Sequence, residues 1–411
     1  MQLILRNCRL SDRVAEGTLD IGVQDGRIVA IERTLAADGV AYDARGYLVC
    51  PGLIETHIHL DKSRIIDRCA PAERHALSPV KAIAPLKKSM SVEDVRTRAE
   101  RTLVDCILHG TTRMRTQVEV DPGIGMRGFD GVSSVVADYA WAIDIEICVF
   151  PQEGLNNYPG TEELLVEALR RGAKVIGGAP RYDSDPPKQI ERIFALAREF
   201  DVDIDMHLDV GPTPEPMYIH RVRELTERYK RGGRVVVGHM AKLSLLPPKE
   251  VTSLARQLAD SGIAVTVLPA TDLFLMGRDH VHDHNVPRGV VPTHKLVAHG
   301  VNCSLSSNNV LNPFTPFGDC SQIRMANLYA NICHVGKRAD MQACFDMITR
   351  RPAQLMRLSE YGLEPGKSAD LVVLDGTEPA MVVAELSPVL YAFKRGRMTV
   401  SRTPAKLHRP N

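Results

Sequence analysis

Alternating apolar and polar residues at the two ends of the chain predict short β-strands. Residues 19–31 carry Asp25-Gly26 between two apolar runs, which is typical of a β-hairpin. Residues 362–376 read as a turn, a buried strand and a second turn. Because both ends share this pattern, we expect them to form one small β domain beside a central domain.

The region between these ends alternates helical patterns with short apolar runs. Residues 189–200 place apolar side chains at helical spacing and lead directly into the alternating run of residues 202–209. Serial units of this kind predict an α/β fold whose parallel sheet closes into a barrel, with the active site at the carboxyl ends of the strands. A doubly wound open sheet is the structural alternative, set aside on the expectation that the chain has no glycine-rich phosphate loop.

The composition excludes several classes of partner. Lys plus Arg number 51 and Asp plus Glu number 50, which gives a net charge of +1 without any long block of one sign. Such a chain offers no electrostatic footprint for nucleic acid or for an anionic membrane. We therefore expect a small neutral or mildly polar ligand.

The sequence gives no sign of secretion or membrane insertion. No apolar run approaches the ~20 residues that span a bilayer, and the first residues lack the pattern of a secretory leader. The nine cysteines include no Cys-x-x-Cys pair, which argues against a disulfide framework and against a thiolate zinc site. We expect a soluble cytoplasmic protein with reduced cysteines.

Two histidines separated by one residue end an apolar run that begins at Pro51-Gly52. Side chains two apart on a strand share a face, so His57 and His59 can bind one metal ion. Two hydrogen-bonded histidines at a strand end are the alternative. Asp61 keeps the same strand parity, and together with the Pro-Gly junction it favours the metal site.

Three further strand ends carry candidate site residues. His207 lies nearest the carboxyl end of its strand and is the third candidate metal ligand, whereas Asp203 and Asp205 on the same face are expected to form salt links. His239 ends another buried strand and is interpreted as a substrate or water contact. Gln152 follows a further strand, and its amide suits a heterocycle because it offers a donor and an acceptor side by side.

Together these segments resemble the amidohydrolase superfamily, specifically its cytosine-deaminase-like branch, which includes triazine-type N-alkyl aminohydrolases. The resemblance covers nearly the whole chain and depends on the order and spacing of many short segments. These segments begin at residues 26, 51, 110, 150, 203, 238, 274, 309 and 366.

The resemblance implies a distorted (β/α)8 TIM barrel at residues 51–360, with a small β-sandwich built from residues 1–50 and 361–411. It also implies one divalent metal ion, zinc or iron, that activates water, and a homo-oligomer. His57, His59 and His207 would be ligands, His239 would contact the water, and Gln152 would hold a heterocyclic substrate. Asp61 and Arg278 complete the predicted substrate-binding set, with a loop salt bridge as the alternative for Arg278.

Departures from the family pattern fall on the groups that carry protons. Asn308 stands where the family has an aspartate; it can bind metal through its carbonyl oxygen but cannot act as a base near neutral pH. Val210 stands where deaminases of this branch have an acidic residue, and Asp209 beside it is a candidate substitute. Gln117 stands where relatives have a histidine after an Arg-Thr pair.

We therefore predict metal-dependent hydrolysis of a carbon–nitrogen bond in a small pyrimidine-like or triazine-like cyclic amidine or amide. The predicted catalytic residues are His239, Asn308 and Asp209, with protons carried by Asp61, Asp209 or His239. The alternative is a heterocycle-binding protein with impaired catalysis. An asparagine introduced into an otherwise normal enzyme is a third explanation, but it does not account for Val210.

Two other features invite a second metal site, and neither is adopted. His280, His282 and His284 alternate along one segment, which a solvated polar loop explains. Lys174 precedes the apolar part of its strand, so it should lie at the wrong end of the barrel to bridge two metal ions as a carboxylated lysine.

Overall fold

The computed structural model describes residues 1–69, 78–278, 286–403 and 405–409. In chain order its strands are β1 (Leu3–Leu10), β2 (Thr18–Gln24), β3 (Arg27–Glu32), β4 (Val40–Asp43), β5 (Leu48–Pro51), β6 (Leu53–Ile58), β7 (Thr111–Glu119), β8 (Asp144–Phe150), β9 (Val175–Ile176), β10 (Asp203–Leu208), β11 (Val235–His239), β12 (Ile263–Val267), β13 (Cys303–Leu305), β14 (Leu371–Leu374), β15 (Val389–Lys394) and β16 (Arg397–Ser401).

The helices are α1 (Ser78–Lys87), α2 (Val92–Leu108), α3 (Arg127–Asp138), α4 (Thr161–Arg170), α5 (Pro186–Glu199), α6 (Ile219–Arg228), α7 (Pro248–Asp260), α8 (Pro269–Leu275), α9 (Thr293–Ala298), α10 (Gln322–Ile332), α11 (Arg338–Asp346), α12 (Arg350–Leu355) and α13 (Pro379–Glu385). Short 3-10 turns lie at Val14–Glu16, Ile66–Arg68, Pro180–Tyr182 and Ala241–Leu245. Among the helices of the described ranges, none is long and apolar enough to cross a membrane.

Strands β6 to β13 form one parallel sheet in chain order, with helices between the strands. The sheet nearly closes, because residue Ile58 of β6 pairs with Asn308 just beyond β13. The Thr56 hydroxyl also lies 2.8 Å from the Ser304 hydroxyl and 2.7 Å from that of Ser306. The predicted α/β barrel fold is thus confirmed.

The strands from the two termini form a separate sheet in the order β16-β15-β14-β5-β1-β2-β3, with β4 paired to β1. The interior strand β14 shows the period of two: Leu371 and Val373 pack in the core of this sheet, whereas Val372 and Leu374 pack in the barrel core. A β domain from both termini is therefore confirmed. Its division from the barrel at residues 50 and 361 stays a prediction.

A helix start illustrates how local sequence places the barrel elements. Pro186 at the first helical position and the Asp185 side chain, which accepts from the Lys188 amide at 3.2 Å, begin α5. The helix then buries Ile193 and Phe194 against the barrel, a contribution of about 1.5–3 kcal/mol for each fully buried side chain. It ends directly before β10, which carries part of the site.

The expectation that the chain lacks the Gly-x-Gly-x-x-Gly spacing of a phosphate loop is wrong. Glycines at 123, 125 and 128 have the Gly-x-Gly-x-x-Gly spacing and lie between β7 and α3. The amides of Gly123 and Ile124 donate to the Asp121 side chain at 2.7 and 3.1 Å, and that of Gly125 donates to the Asp121 carbonyl at 2.7 Å. The loop therefore binds its own aspartate, and the closed barrel overrules the open-sheet reading of the motif.

Candidate active site

Three imidazoles from two strands meet at the carboxyl end of the barrel. The Nε2 atoms of His57 and His207 lie 3.1 Å apart, and those of His207 and His59 lie 3.2 Å apart. Nitrogen ligands about 2.0–2.1 Å from a tetrahedral zinc ion would lie about 3.3 Å from each other. The three residues predicted as ligands are therefore close enough to share one ion.

The protonation state of these histidines also suits a metal. Burial lowers the pKa of His57, and it places the pKa of His59 and His207 well below the ordinary value, with neighbouring cations adding to the effect. Neutral imidazoles present lone pairs. A single proton cannot satisfy both contacts that the Nε2 of His207 makes, so a divalent cation fits this donor set better than hydrogen bonds do.

Carboxylates stand behind two of the imidazoles. Asp205 Oδ1 lies 3.6 Å from His57 Nδ1, and Asp61 Oδ1 lies 3.9 Å from His59 Nδ1. Asp205 also accepts from Arg115 at 2.9 Å, so the expected salt link is present. Such partners orient the ligands of a metal site. The contact of Asp205 with His57 was not predicted from the sequence, although strand parity already placed Asp205 on the face of His207.

His239 faces the same cavity and is held from behind by a buried carboxylate. Its Nδ1 lies 2.5 Å from Oδ1 of Asp272, and the other oxygen of Asp272 accepts from the Leu268 amide at 3.2 Å. Gly238 lets this strand approach β6, because a Cβ there would lie 3.2 Å from Cε1 of His57. Sequence analysis missed Asp272, which lies on α8 just after the end of β12.

Backbone hydrogen bonds fix the position of Asn308, and the residue lines the cavity. Its N–H donates to the His57 carbonyl at 2.9 Å, and its carbonyl accepts from the His59 N–H at 2.8 Å. Both polar atoms of its side chain are buried, and no hydrogen-bond partner for them exists within the described part of the chain. The amide is therefore available to a ligand or an ion.

Gln152 also faces the cavity, but its amide is already oriented by a lysine. The ammonium of Lys62 donates to Oε1 of Gln152 at 2.8 Å and lies 3.5 Å from the Glu119 carboxylate. It also lies 5.2 Å from the ring centroid of Phe150 and 5.1 Å from that of Phe314. Gln152 is left with its NH2 group as the donor for a ligand. Sequence analysis assigned no role to Lys62.

A second group of carboxylates surrounds a lysine at the carboxyl ends of β7 and β8. Lys87 contacts Glu119 and Glu153 and lies 2.7 Å from Asp121. Burial opposes the charge of Lys87, but the three carboxylates outweigh it and raise the pKa. The three carboxylates are close enough together to hold a metal ion, yet the lysine ammonium already supplies the positive charge there.

The other predicted residues lie around this centre in different ways. The carboxylate of Asp209 caps α6 by accepting from the amides of Tyr218 and Ile219 at 2.8 and 3.0 Å, although the residue lines the cavity. Asp61 accepts from the amides of Lys62 and Glu119, each at 2.9 Å, and burial raises its pKa to about 6. The roles assigned to Asp209 and Asp61 stay predictions.

Arg278 lies away from the histidines. Its guanidinium is 4.5 Å from the ring centroid of Phe274, in a groove that Phe317 also lines. Its role in orienting the substrate stays a prediction. The alternating histidines 280, 282 and 284 lie outside the described residues.

Gln117 fills the position where relatives have a histidine. It lies beside His59, because Ile58 pairs with Thr116 in the register of β6 and β7. Its amide is buried, and the described residues offer it no hydrogen-bond partner.

The cavity that joins these groups combines polar and apolar walls. It is lined by His59, Gln152, Ala179, Arg181, Tyr182, His207, Leu208, Asp209, Val210, His239, Leu275, Asn308, Asn309 and Phe314. Val210 is part of this wall, so an apolar side chain occupies the position where deaminases of the cytosine-deaminase-like branch have an acidic residue. The arrangement thus places three imidazoles that could hold a metal ion beside a cavity whose wall also includes His239 and Asn308.

Known proteins place this architecture in a family. Residues 71–400 match the family model described as Amidohydrolase family. The chain is 28% identical to N-isopropylammelide isopropyl amidohydrolase of Pseudomonas sp. strain ADP, over 97% of each chain. It is similar to 5-methylcytosine deaminase from Klebsiella pneumoniae, crystallised with 5-fluorocytosine, with a TM-score of 0.93, 27% identity and 99% coverage of both chains.

A third protein is similar to the chain over nearly its whole length. N-isopropylammelide isopropylaminohydrolase from Burkholderia multivorans superposes with a TM-score of 0.84 at 26% identity, covering 97% of this chain and 98% of that one. Deaminases and amidohydrolases of this group act on carbon–nitrogen bonds, and the amidohydrolase family is metal-dependent. The chain belongs to the amidohydrolase family, and the proteins it resembles include hydrolases of carbon–nitrogen bonds from its cytosine-deaminase-like branch.

Proposed function

We propose that the protein hydrolyses a carbon–nitrogen bond of a small pyrimidine-like or triazine-like ring, with one divalent metal ion bound by His57, His59 and His207. The observation that carries this proposal is the convergence of their three Nε2 atoms in a cavity that His239 and Asn308 also face. The carbonyl oxygen of Asn308 is the proposed fourth protein ligand. The donor set suits zinc or ferrous iron.

When bound, such an ion lowers the pKa of water from about 15.7 toward 7 and so makes an attacking oxygen available near neutral pH. The residues of the chain then have to take the proton and return it. An asparagine amide cannot do this, so the aspartate role of the family needs another residue here.

His239 is the residue best placed to move that proton. Because its Nδ1 faces Asp272, its Nε2 is on the opposite side of the ring and can accept a proton from water in the cavity. Asp272 stabilises the resulting imidazolium, as the aspartate does in a Ser-His-Asp triad. The same Nε2 then donates the proton to the nitrogen that leaves as the carbon–nitrogen bond breaks.

Gln152 and the apolar walls orient the ring. The NH2 group of Gln152 donates to a ring nitrogen or ring oxygen, since Lys62 occupies its carbonyl. Phe314 and Leu275 cover apolar faces of the cavity. These contacts hold the ring without a proton carrier at Val210.

The second candidate function is binding of a heterocycle without turnover. Asn308 and Val210 support it, because both replace proton carriers of the family. The His239–Asp272 pair favours turnover, since it supplies a proton route that needs neither position.

Metal analysis and a product assay test the proposed function. Protein purified without chelator should contain close to one ion per chain and should release ammonia or an amine from one of a panel of cyclic amidines and amides. A metal content far below one ion per chain, with no activity after addition of zinc, iron or manganese, would favour the binding function.

Three further proposals concern the setting of the enzyme. We propose a homo-oligomer in the cytoplasm that binds neither nucleic acid nor membranes, on the basis of the family resemblance and the balanced charge. Light scattering coupled to size-exclusion chromatography tests the oligomeric state, and a single species with the 45.3 kDa mass of one chain would contradict it.

A further inference from the structure

Arg181 places a positive charge in the wall of the active-site cavity. It lies in the turn Pro180–Tyr182 that follows β9, and it lines the same cavity as His59, His207 and His239. The sequence led us to expect a neutral or mildly polar ligand, for which an arginine in the wall has no obvious use.

The guanidinium of Arg181 has no carboxylate partner in the described part of the chain. Its side chain lies 5.8 Å from the ring centroid of Tyr182, and it forms no ion pair or hydrogen bond with the described residues. The buried Arg115, by contrast, contacts Glu146 and Asp205. An arginine in a partly buried wall without such a partner is suited to bind an anion.

The two carboxylates closest along the turn and in the cavity are already bound by other donors. Asp183 accepts from the amides of Leu155, Asn156 and Asp185 at 2.6, 3.1 and 2.9 Å, and from the side chain of Gln189 at 2.7 Å. Asp209 accepts from the two amides at the start of α6. Neither is paired with the charge of Arg181.

Gln152 contributes a second donor to the same cavity. The Lys62 ammonium donates to its Oε1 at 2.8 Å, and this contact leaves both N–H groups of the amide free to donate to a bound ring. The cavity wall therefore offers N–H donors from two residues, one of which is charged. A ring rich in oxygen acceptors and carrying a negative charge complements this pattern.

We propose that Arg181 binds an oxyanion of the substrate, either a ring carboxylate or an ionised ring oxygen, and so selects anionic heterocycles over neutral ones. This inference rests on the proposed function, because the ring that Arg181 selects is the ring whose carbon–nitrogen bond is cleaved. It narrows the substrate class from small heterocycles in general to acidic ones.

Isothermal titration calorimetry of the full-length, metal-loaded protein tests the proposal. One arm compares cytosines that carry a carboxylate at C5 or C6 with the matching carboxamides. A second arm compares barbiturate, a ring with an ionised oxygen, with neutral uracil. The wild type should bind at least one anionic ring more tightly than its neutral partner, and the successful arm identifies the type of oxyanion.

Arg181→Gln should lower the affinity for the preferred anionic ring about 10- to 100-fold, which is the effect of losing a hydrogen bond to a charged group. The affinity for the neutral ring should change by no more than about twofold. Arg181→Lys should retain part of the preference. Arg192→Gln is the matched control, because Arg192 contacts Glu162 on the outside of the barrel. Thermal melting verifies that each variant is folded.

The proposal is overturned if the wild type binds neither class of anion more tightly than the neutral partner, or if Arg181→Gln weakens both rings equally. Turnover is measured separately on the same rings. An anion preference that depends on Arg181, in a protein that also fails the metal analysis and the product assay described above, would contradict the proposed function and still support the role of Arg181.

Discussion

His239 and Asp272 form a buried pair in which Nδ1 of the imidazole lies 2.5 Å from Oδ1 of the carboxylate. Asp272 has no exposed surface and His239 is 6% exposed, so the pair is shielded from water on every side except the cavity. This shielding makes the carboxylate an effective partner for a positive charge on the imidazole. It offers a proton route in a site where the family aspartate is an asparagine.

Replacement of Asp272 by asparagine tests this route. The Leu268 amide should bind the oxygen of the new side chain, which turns its NH2 group toward Nδ1 and leaves the proton on Nε2. That imidazole cannot accept a proton from the cavity. We expect kcat to fall about 10²- to 10⁴-fold while KM changes little.

Nitrogen NMR of the imidazole, recorded without substrate, should show the same change of tautomer in Asp272→Asn. Asp260→Asn, at the exposed end of α7, is the matched control and should behave as wild type. An unchanged kcat in Asp272→Asn would remove His239 and Asp272 from the proton route.

Loss of one imidazole should remove the metal. His59→Ala leaves two nitrogen ligands, and we expect metal affinity to fall by more than about 100-fold, beyond the loss usual for a residue behind the ligands. His220→Ala, on the exposed face of α6, is the control. Metal content after dialysis gives the answer, and equal content in the two variants would exclude His59 as a ligand.

Asn308→Asp places a carboxylate at the proposed fourth ligand position. We expect tighter metal binding, because an anionic oxygen replaces a neutral one, and a gain of activity on cytosine-type rings if the native proton route is slow. Competition with a chelator measures the affinity. Asn331→Asp, on the exposed part of α10, controls for the added charge. Unchanged affinity in Asn308→Asp would show that residue 308 does not contact the ion.

Gly238→Ala tests the close approach of two strands. A Cβ at this position would lie 3.2 Å from Cε1 and 3.3 Å from Nδ1 of His57, so the imidazole has to move. We expect about tenfold weaker metal binding, as for loss of a group that orients a ligand. Gly336→Ala has open space around it and is the control. Identical metal affinity of both variants would contradict the proposed geometry.

The stability of the turn that carries Arg181 should depend on pH because of Asp183. Burial works to raise its pKa, but hydrogen bonds from the amides of Asp185, Leu155 and Asn156 outweigh it, and the pKa lies below its ordinary value. A carboxyl group with a lowered pKa in the folded state stabilises the fold above the pKa of the unfolded chain. That contribution is lost as the pH falls through the folded pKa.

We therefore expect Asp183→Asn to unfold at lower urea concentration than wild type at pH 7, and the difference to shrink as the pH approaches 3. Asp185→Asn alters the cap of α5 on the same turn and serves as the comparison. A difference that stays constant between pH 7 and pH 3 would show that the charge of Asp183 does not stabilise the turn.

Strand periodicity predicted the centre of the site but not its surroundings. His57 and His207 lie within β6 and β10, where a period of two fixes the direction of each side chain. Asp209 follows the last residue of β10 and has a φ of 50°, so strand parity no longer holds and its carboxylate turns to the start of α6. Parity holds one residue beyond β6, at His59, but fails one residue beyond β10, where the positive φ of Asp209 turns the chain.

The residues that sequence reasoning missed come from elements that follow the strands. Asp272 lies in α8 and Arg181 in a short turn, and their positions depend on how those segments fold back over the barrel. Lys62 was visible in the sequence beside the histidines, but its contact with Gln152 joins residues 90 positions apart. Local patterns carry no information about such a contact.

The position of β14 between β5 and β15 has a consequence for how the protein is made. Strand β5 can pair with β1 early, but it finds its second neighbour, β14, only when residues 371–374 have left the ribosome. It is followed almost immediately by the strand that carries His57. One edge of β5 therefore stays unpaired until synthesis is nearly complete. A version shortened from the carboxyl end would expose that edge permanently and would be expected to aggregate.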